Sequence, residues 1–236
     1  MNVELLERAA VALGDVCQEV VFLGGACIGL WITDPGAPHP RPTKDVDVVV
    51  EVASRLGYIH FSERMRARGF SEDAASPVIC RWRHLDSGLL LDAMPVNPEI
   101  LGLQSRWQAD AADHALRCVL PSGAVIRAAS PPYLLATKLE AFGDRGRDDP
   151  IASRDLEDIV TLLDNREELP AEAHSAPADV GAYLARQLAD LQRLPDFVIL
   201  VASMLRPDPA SQARLEAVVL PRLREIAALP ERVEEA

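Results

Sequence analysis

Asp45-Val46-Asp47 is the part of this chain whose residue types and spacing point most directly to chemistry. The pair opens the apolar run Asp45 to Val50, and a strand alternates its side chains, so both carboxylates would leave the same face. Like charges held side by side on an apolar strand raise each other's pKa and suffer desolvation, a penalty that a cation removes. A divalent metal is the simplest such cation. A third carboxylate, Asp92, lies within Leu89-Leu90-Leu91-Asp92-Ala93-Met94, where a charge on a strongly apolar strand again needs a partner. If the two strands are neighbours, Asp45, Asp47 and Asp92 converge as hard oxygen ligands suited to Mg2+. With two ions present, one would lower the pKa of an attacking hydroxyl, and the other would clamp a triphosphate and take up charge on departing pyrophosphate. The plain alternative is that an aspartate pair opening a strand is only a solvated strand end.

Gly24-Gly25 stands where a strand gives way to a helix, and glycines there let backbone N–H groups approach an anion at the positive helix end. Their ordinary use is a tight turn. Gly24, Gly29 and an acid about twenty residues on imitate a dinucleotide-binding fingerprint, but the middle glycine is Ala26. The acids also open their strand instead of ending it, and no second βαβ unit follows.

Placing these residues requires a sheet. Leu5, Leu6, Ala9, Ala10 and Leu13 predict a helix over Glu4 to Leu13 that stops at Gly14, and Glu19 to Leu23 reads as a short strand. Ala26 to Ile32 is apolar enough for a buried helix, whereas Asp34 to Thr43, with four prolines, must be a loop. A helix over Ser54 to Arg68 ends at Gly69. Strand-like runs Val78 to His84 and Leu89 to Val96 flank the turn Asp86-Ser87-Gly88, and Cys118 to Leu120 and Ala124 to Ala128 flank Pro121-Ser122-Gly123. From Pro131 onward the spacing is helical, over Tyr133 to Phe142, Arg154 to Leu163, Ala178 to Leu191, Phe197 to Leu205 and Ala210 to Ala228. The expected architecture is α+β, a mixed-sheet domain over residues 1–130 and a C-terminal helical bundle over 131–236, cut near Ser130 and without internal repeats.

With 236 residues the chain can bury one large core or two modest ones, and 49% hydrophobic with 25% charged residues excludes a disordered or fibrous class. No apolar run reaches bilayer length, and Met1-Asn2-Val3-Glu4 lacks the basic start of a signal peptide, so a cytoplasmic location with no membrane partner is expected. Cys17, Cys27, Cys80 and Cys118 are scattered, with no Cys-x-x-Cys pair, which argues against a zinc site or a disulfide framework and for reduced, partly buried thiols. The net charge of −12 opposes non-specific nucleic-acid binding unless a basic patch overrides it. Arg64, Arg66, Arg68, Arg81, Arg83 and His84 form a stretch with few acids that is either such a patch or a solvated helix and strand edge.

Gly24-Gly25, then Thr43-Lys44-Asp45-Val46-Asp47, then Asp92 on a later strand resembles the nucleotidyltransferase fold shared with DNA polymerase beta. That resemblance implies a glycine turn binding the triphosphate, the three aspartates binding two magnesium ions, and a helical domain that follows in the chain. A narrower likeness lies in Ala128-Ala129-Ser130-Pro131-Pro132-Tyr133-Leu134-Leu135-Ala136-Thr137-Lys138-Leu139-Glu140-Ala141 followed by Arg154-Asp155-Leu156-Glu157-Asp158-Ile159. It is similar to the AbiEii-type toxin nucleotidyltransferases of bacterial toxin–antitoxin systems, over about residues 20 to 165. By that likeness Lys138 contacts the nucleotide phosphates, and Arg154 and Asp158 support it by pairing with Lys138 or positioning an acceptor. A lysine is a point charge suited to a triphosphate. Without the motif, Lys138 is an ordinary surface lysine, and Arg154 and Asp158 are an i,i+4 surface pair of small value. Arg145 and Arg147, between Gly143 and Ser153, are further phosphate candidates.

Two departures bear on the site. Gly25 stands where the superfamily has serine, and the proline-rich loop lengthens the gap to the aspartates, so the phosphate grip would rest on backbone amides and Lys138. Thr43 keeps the hydroxyl residue before the aspartates, preceded by Arg41. The resemblance therefore implies a Mg2+-dependent nucleotidyltransferase moving a nucleoside monophosphate from an NTP to an acceptor hydroxyl, with Asp45 and Asp47 bridging the metals and Asp92 activating the hydroxyl. The family points to an RNA end, tRNA in particular, and to a toxin with a cognate antitoxin. The acidic charge keeps an aminoglycoside-like small molecule as a rival acceptor. A non-catalytic nucleotide-binding or interaction protein of the same fold is the third alternative.

Overall fold

The computed structural model describes residues 2–102 and 105–230. The chain forms two compact units, Met1–Leu30 with Arg41–Ser130, and Trp31–Pro40 with Pro131–Ala236.

The first unit is a seven-stranded mixed sheet with helices α1 (Asn2–Leu13), α2 (Arg55–Ala67) and α3 (Gln108–Asp113). α1 buries Leu6, Ala9, Ala10 and Leu13 along one stripe and ends at Gly14, whose φ of +56° is the left-handed stop that favours glycine. A 3-10 turn, Gly14–Glu19, takes up Glu19, so strand β1 is Val20–Leu23, buried along its whole length. Where an α-helix was expected over Ala26 to Ile32, the chain makes a 3-10 turn over Gly25–Leu30. Two glycines within six residues weaken α-helix formation there, while burial of Ala26, Cys27 and Ile28 holds the tighter turn in place.

Strand β2, Asp45–Val50, follows, and Ser54 caps α2 by accepting the Gly57 N–H at 3.1 Å. Strand β3, Phe70–Glu72, was not anticipated, because three residues carry no readable period. β4 is Arg81–His84, shorter than the expected Val78 to His84, and β5 is Leu90–Pro95. The last hairpin pairs β6 (Leu116–Val119) with β7 (Val125–Ala128). The sheet order is β3-β4-β5-β2-β1-β7-β6, with β2 parallel to β5, β1 parallel to β7, and the other neighbours antiparallel. The fold is α+β, as its sequence pattern implies.

The second unit is helical. α4, Pro131–Ala141, opens on two prolines, which the first turn of a helix tolerates, and continues as a π-turn over Phe142–Gly146. α5 (Arg154–Asn165) is capped by Ser153, and α6 (Leu169–Ser175), unforeseen from sequence, precedes α7 (Ala178–Leu191) and α8 (Phe197–Met204). The expected helix Ala210 to Ala228 is interrupted: α9 (Pro209–Arg214) and α10 (Leu220–Ala227) are joined by a π-turn over Leu215–Val219. Pro221 explains the interruption, since it lacks an N–H and its ring crowds the carbonyl one turn back, which a wider turn relieves. The segment Trp31–Pro40 belongs to this unit because it closes the end of α5. The Thr33 N–H donates to the Asn165 carbonyl at 3.0 Å, and Asp34 pairs with Arg214 at 3.0 Å. Arg214 also donates to Asp164 Oδ1 at 2.6 Å, and Arg222 donates to the Leu163 and Asp164 carbonyls. Those carbonyls would otherwise lack partners at a helix end.

Among the described residues no helix is long and apolar enough to cross a membrane. All four cysteines are free thiols, with Cys17, Cys27 and Cys80 buried.

Candidate active site

The sheet unit brings its three aspartates onto one face of two neighbouring strands. Along β2, Val46 and Val48 are buried while Asp45 and Asp47 stay half-exposed, the alternation expected of a strand with one open face. β5 lies parallel to β2 with Asp92 level with Asp47, so their side chains leave the sheet on the same side. β4 then sets Arg81 opposite Asp92. The Arg81 Nε donates to Asp92 Oδ1 at 2.7 Å, and one Nη donates to Asp92 Oδ2 at 2.7 Å and to Asp45 Oδ2 at 2.5 Å. This is a bidentate guanidinium–carboxylate pair with a second carboxylate attached. The hydrogen bonds that Arg81 donates to Asp92 hold its guanidinium above its already high pKa range, with Asp45 adding to the effect. Burial, followed by the charges of Asp92 and Asp47, pushes the neighbouring Cys80 thiol up to about 12.

Gly24 has a structural reason to be glycine. Its φ is +74°, and a Cβ there would overlap a carboxylate oxygen of Asp47, with Asp47 Cγ only 2.7 Å away. The turn therefore forms a seat for Asp47, and Gly25 next to it is buried at the start of the 3-10 turn. Upstream of the pair, Asn2 clamps the chain by donating to the Arg41 carbonyl at 2.9 Å and accepting the Thr43 N–H at 3.2 Å. Thr43 Oγ1 is buried with no hydrogen-bond partner.

Chemically the donor set suits magnesium. Asp45, Asp47 and Asp92 are hard oxygen donors rising side by side, and the Thr43 hydroxyl is a polar atom left over beside them in sequence. As the side chains stand, Asp45 and Asp92 turn toward Arg81. Among the described residues no three His, Cys, Asp or Glu side chains gather as a metal cluster. A metal would have to take Asp45 and Asp92 from the guanidinium.

The helical unit holds a second charged cluster. Lys138 on α4 is buried, with Nζ 3.1 Å from Asp155 and 2.7 Å from Asp158 on α5. The two acids are three residues apart and share a helix face. Arg145, carried round by the π-turn after α4, donates from Nε to Asp155 at 2.9 Å although its own side chain is 72% exposed. A buried lysine between two buried carboxylates is a fully engaged group, in contrast to the surface lysine that residue type alone would suggest. Arg154 is exposed at the start of α5. Arg147 lines an open groove of about 320 Å3 with Glu140, Asp144, Tyr183 and Gln187.

Three arginines of the arginine-rich stretch are paired with acids of their own unit. Arg64 pairs with Asp15 and Glu19, Arg66 with Glu72, Arg83 with Asp73, and Arg68 donates to the Ala12 and Val11 carbonyls. That pattern is a solvated helix and strand edge tied to its own acids, not an open phosphate-binding face.

Arg81 and Asp155 are the members of these clusters that residue types alone did not single out. The hairpin itself was expected around Asp86-Ser87-Gly88, but it is the observed register, centred between Asp86 and Ser87, that sets Arg81 against Asp92. Asp155 was signalled by its i,i+3 spacing from Asp158.

The seven-stranded mixed sheet followed in the chain by helices is consistent with an α+β nucleotidyltransferase fold. The family model described as "Nucleotidyl transferase AbiEii toxin, Type IV TA system" matches residues 96–230, more than half of the chain, and the chain belongs to that family. The match begins just after Asp92 and takes in Lys138, Arg145, Asp155 and Asp158. No curated protein matches the chain.

Proposed function

We propose that this family member catalyses Mg2+-dependent transfer of a nucleoside monophosphate from an NTP to an acceptor hydroxyl. The observation that carries the reading is the placement of Asp45, Asp47 and Asp92 on one face of adjacent parallel strands. Asp45 and Asp47 would hold the metal ions, two in number, with Asp92 as the third ligand. Bound magnesium supplies charge neutralisation for the triphosphate and acidifies the acceptor hydroxyl. The acceptor oxygen bonds to the α-phosphorus, the bond from that phosphorus to the bridging oxygen breaks, and pyrophosphate leaves. Asp92 takes the hydroxyl proton. Gly24 and Gly25 present backbone amides to the phosphates, and Thr43 offers its unpartnered hydroxyl. Lys138, Arg154 and Asp158 are assigned to the nucleotide through family likeness.

The acceptor we propose is an RNA end, tRNA in particular, with a cognate antitoxin restraining the enzyme in the cytoplasm. The net charge of −12 and the internal pairing of the arginine stretch favour a second reading, a polar small-molecule acceptor. The test is to incubate the protein with Mg2+ and each α-32P-labelled NTP, adding total tRNA in one tube and polar small molecules, aminoglycosides included, in another. Label in tRNA supports the first acceptor, label in a small molecule supports the second, and label in neither overturns transfer to both.

A further inference from the structure

We propose that Arg81 is a positioning residue of the carboxylate site, whose guanidinium serves as the resident counter-cation of Asp45 and Asp92 until a divalent ion displaces it. The inference rests on the metal-dependent reading above. Three carboxylates on one sheet face repel one another, and the guanidinium that relieves this is built into the fold by the β4–β5 register. Both Asp92 oxygens accept from Arg81, and the Nη that serves Asp92 Oδ2 also serves Asp45. The Arg81 and Asp92 side chains are only 17% and 9% exposed, so water screens these contacts weakly. By contrast Arg83, the next arginine of the same strand, is half-exposed and makes an ion pair with Asp73, outside the proposed metal set.

A metal ion shared by Asp45 and Asp92 would compete with the guanidinium, which now occupies both oxygens of Asp92 and one of Asp45. Even from a displaced position, a fixed positive charge a few ångströms away opposes a divalent ion. Arg81 should therefore do two opposite things: stabilise the metal-free sheet and weaken the metal. A residue with only a structural role would do the first alone. Lysine at this position keeps the charge but loses the fork that grips Asp92 bidentately, so it separates a latch from a simple field effect.

The test measures Mn2+ binding to the full chain, by counting free Mn2+ with electron paramagnetic resonance, in wild type, Arg81→Gln, Arg81→Lys and Asp47→Asn. Thermal unfolding is followed in parallel with and without Mn2+. The expected result is that Arg81→Gln melts earlier in EDTA yet binds Mn2+ at least about tenfold more tightly, with Arg81→Lys in between. Asp47→Asn should lose the site, which locates the binding. Unchanged or weaker Mn2+ affinity in Arg81→Gln overturns the proposal, and wild-type affinity in Arg81→Lys overturns the bidentate latch. If Arg81→Gln does not fold, Arg81→Lys against wild type decides the question. Absence of Mn2+ binding in wild type and every variant would remove the metal reading itself along with this inference.

Discussion

Replacing Gly24 by alanine should damage the sheet unit in a way that depends on Asp47. Two separate effects act at this position. The φ of +74° is left-handed, which adds about 1–2 kcal/mol for a residue with a Cβ. The new methyl would also overlap the Asp47 carboxylate, with Cγ at 2.7 Å and Cβ at 2.9 Å, an overpacking clash of about 1–3 kcal/mol. Gly24→Ala should thus cost about 2–5 kcal/mol and push Asp47 off its seat. In an Asp47→Ala background the offending oxygen and Cγ are gone and only the Cβ contact at 2.9 Å remains, so the same substitution should cost its backbone strain and a smaller clash. Urea unfolding of wild type, both single variants and the double variant, read by tryptophan fluorescence, completes the cycle. A coupling of about 1–3 kcal/mol is expected, with the double variant more stable than the sum of the singles predicts. Strict additivity would refute the idea that Gly24 is glycine because of Asp47.

Asp158→Ala should leave buried Lys138 short of one partner and lower stability by about 3–5 kcal/mol in chemical denaturation, whereas a loss below about 1 kcal/mol would mean that the pair is solvated. At alkaline pH, burial holds the Cys80 thiol and the Tyr58 hydroxyl at about 12 in the folded chain, above their ordinary values of 9.0 and 10.0. Both groups bind protons more tightly when folded, so their contribution is complete below about pH 9 and is lost as pH rises toward 12. The urea midpoint should fall across that window, and a flat profile from pH 8 to 12 would contradict the burial argument.

How much of this was legible in the sequence varied with the range of the interaction. Asp45, Asp47 and Asp92 could be placed together because strand alternation and apolar context are local signals, and β2 and β5 then pair in register. The hairpin that carries Arg81 was expected, but as a residue type Arg81 sorts with the other arginines of its stretch, and only the observed register shows that it answers Asp92. Gly24 looked like an anion cradle because glycine permits close approach, and the structure shows that one close neighbour is the Asp47 side chain itself. Asp34 to Thr43 read as a proline-rich loop, while the packing of Trp31–Pro40 against the end of α5 depends on contacts over 130 residues away, such as that of Thr33 with Asn165, which no local pattern announces. The π-turn that delivers Arg145 to Asp155 is likewise settled by packing, not by propensity.

The central claim is tested most directly by following label from α-32P-NTP into acceptor, and pyrophosphate release, for wild type and Asp47→Asn with Mg2+ or EDTA. The account predicts equimolar transfer and pyrophosphate for wild type with Mg2+, and none in EDTA. It predicts none with Asp47→Asn, whose circular dichroism should match wild type. Full transfer by Asp47→Asn, or transfer by wild type without a divalent ion, would contradict it.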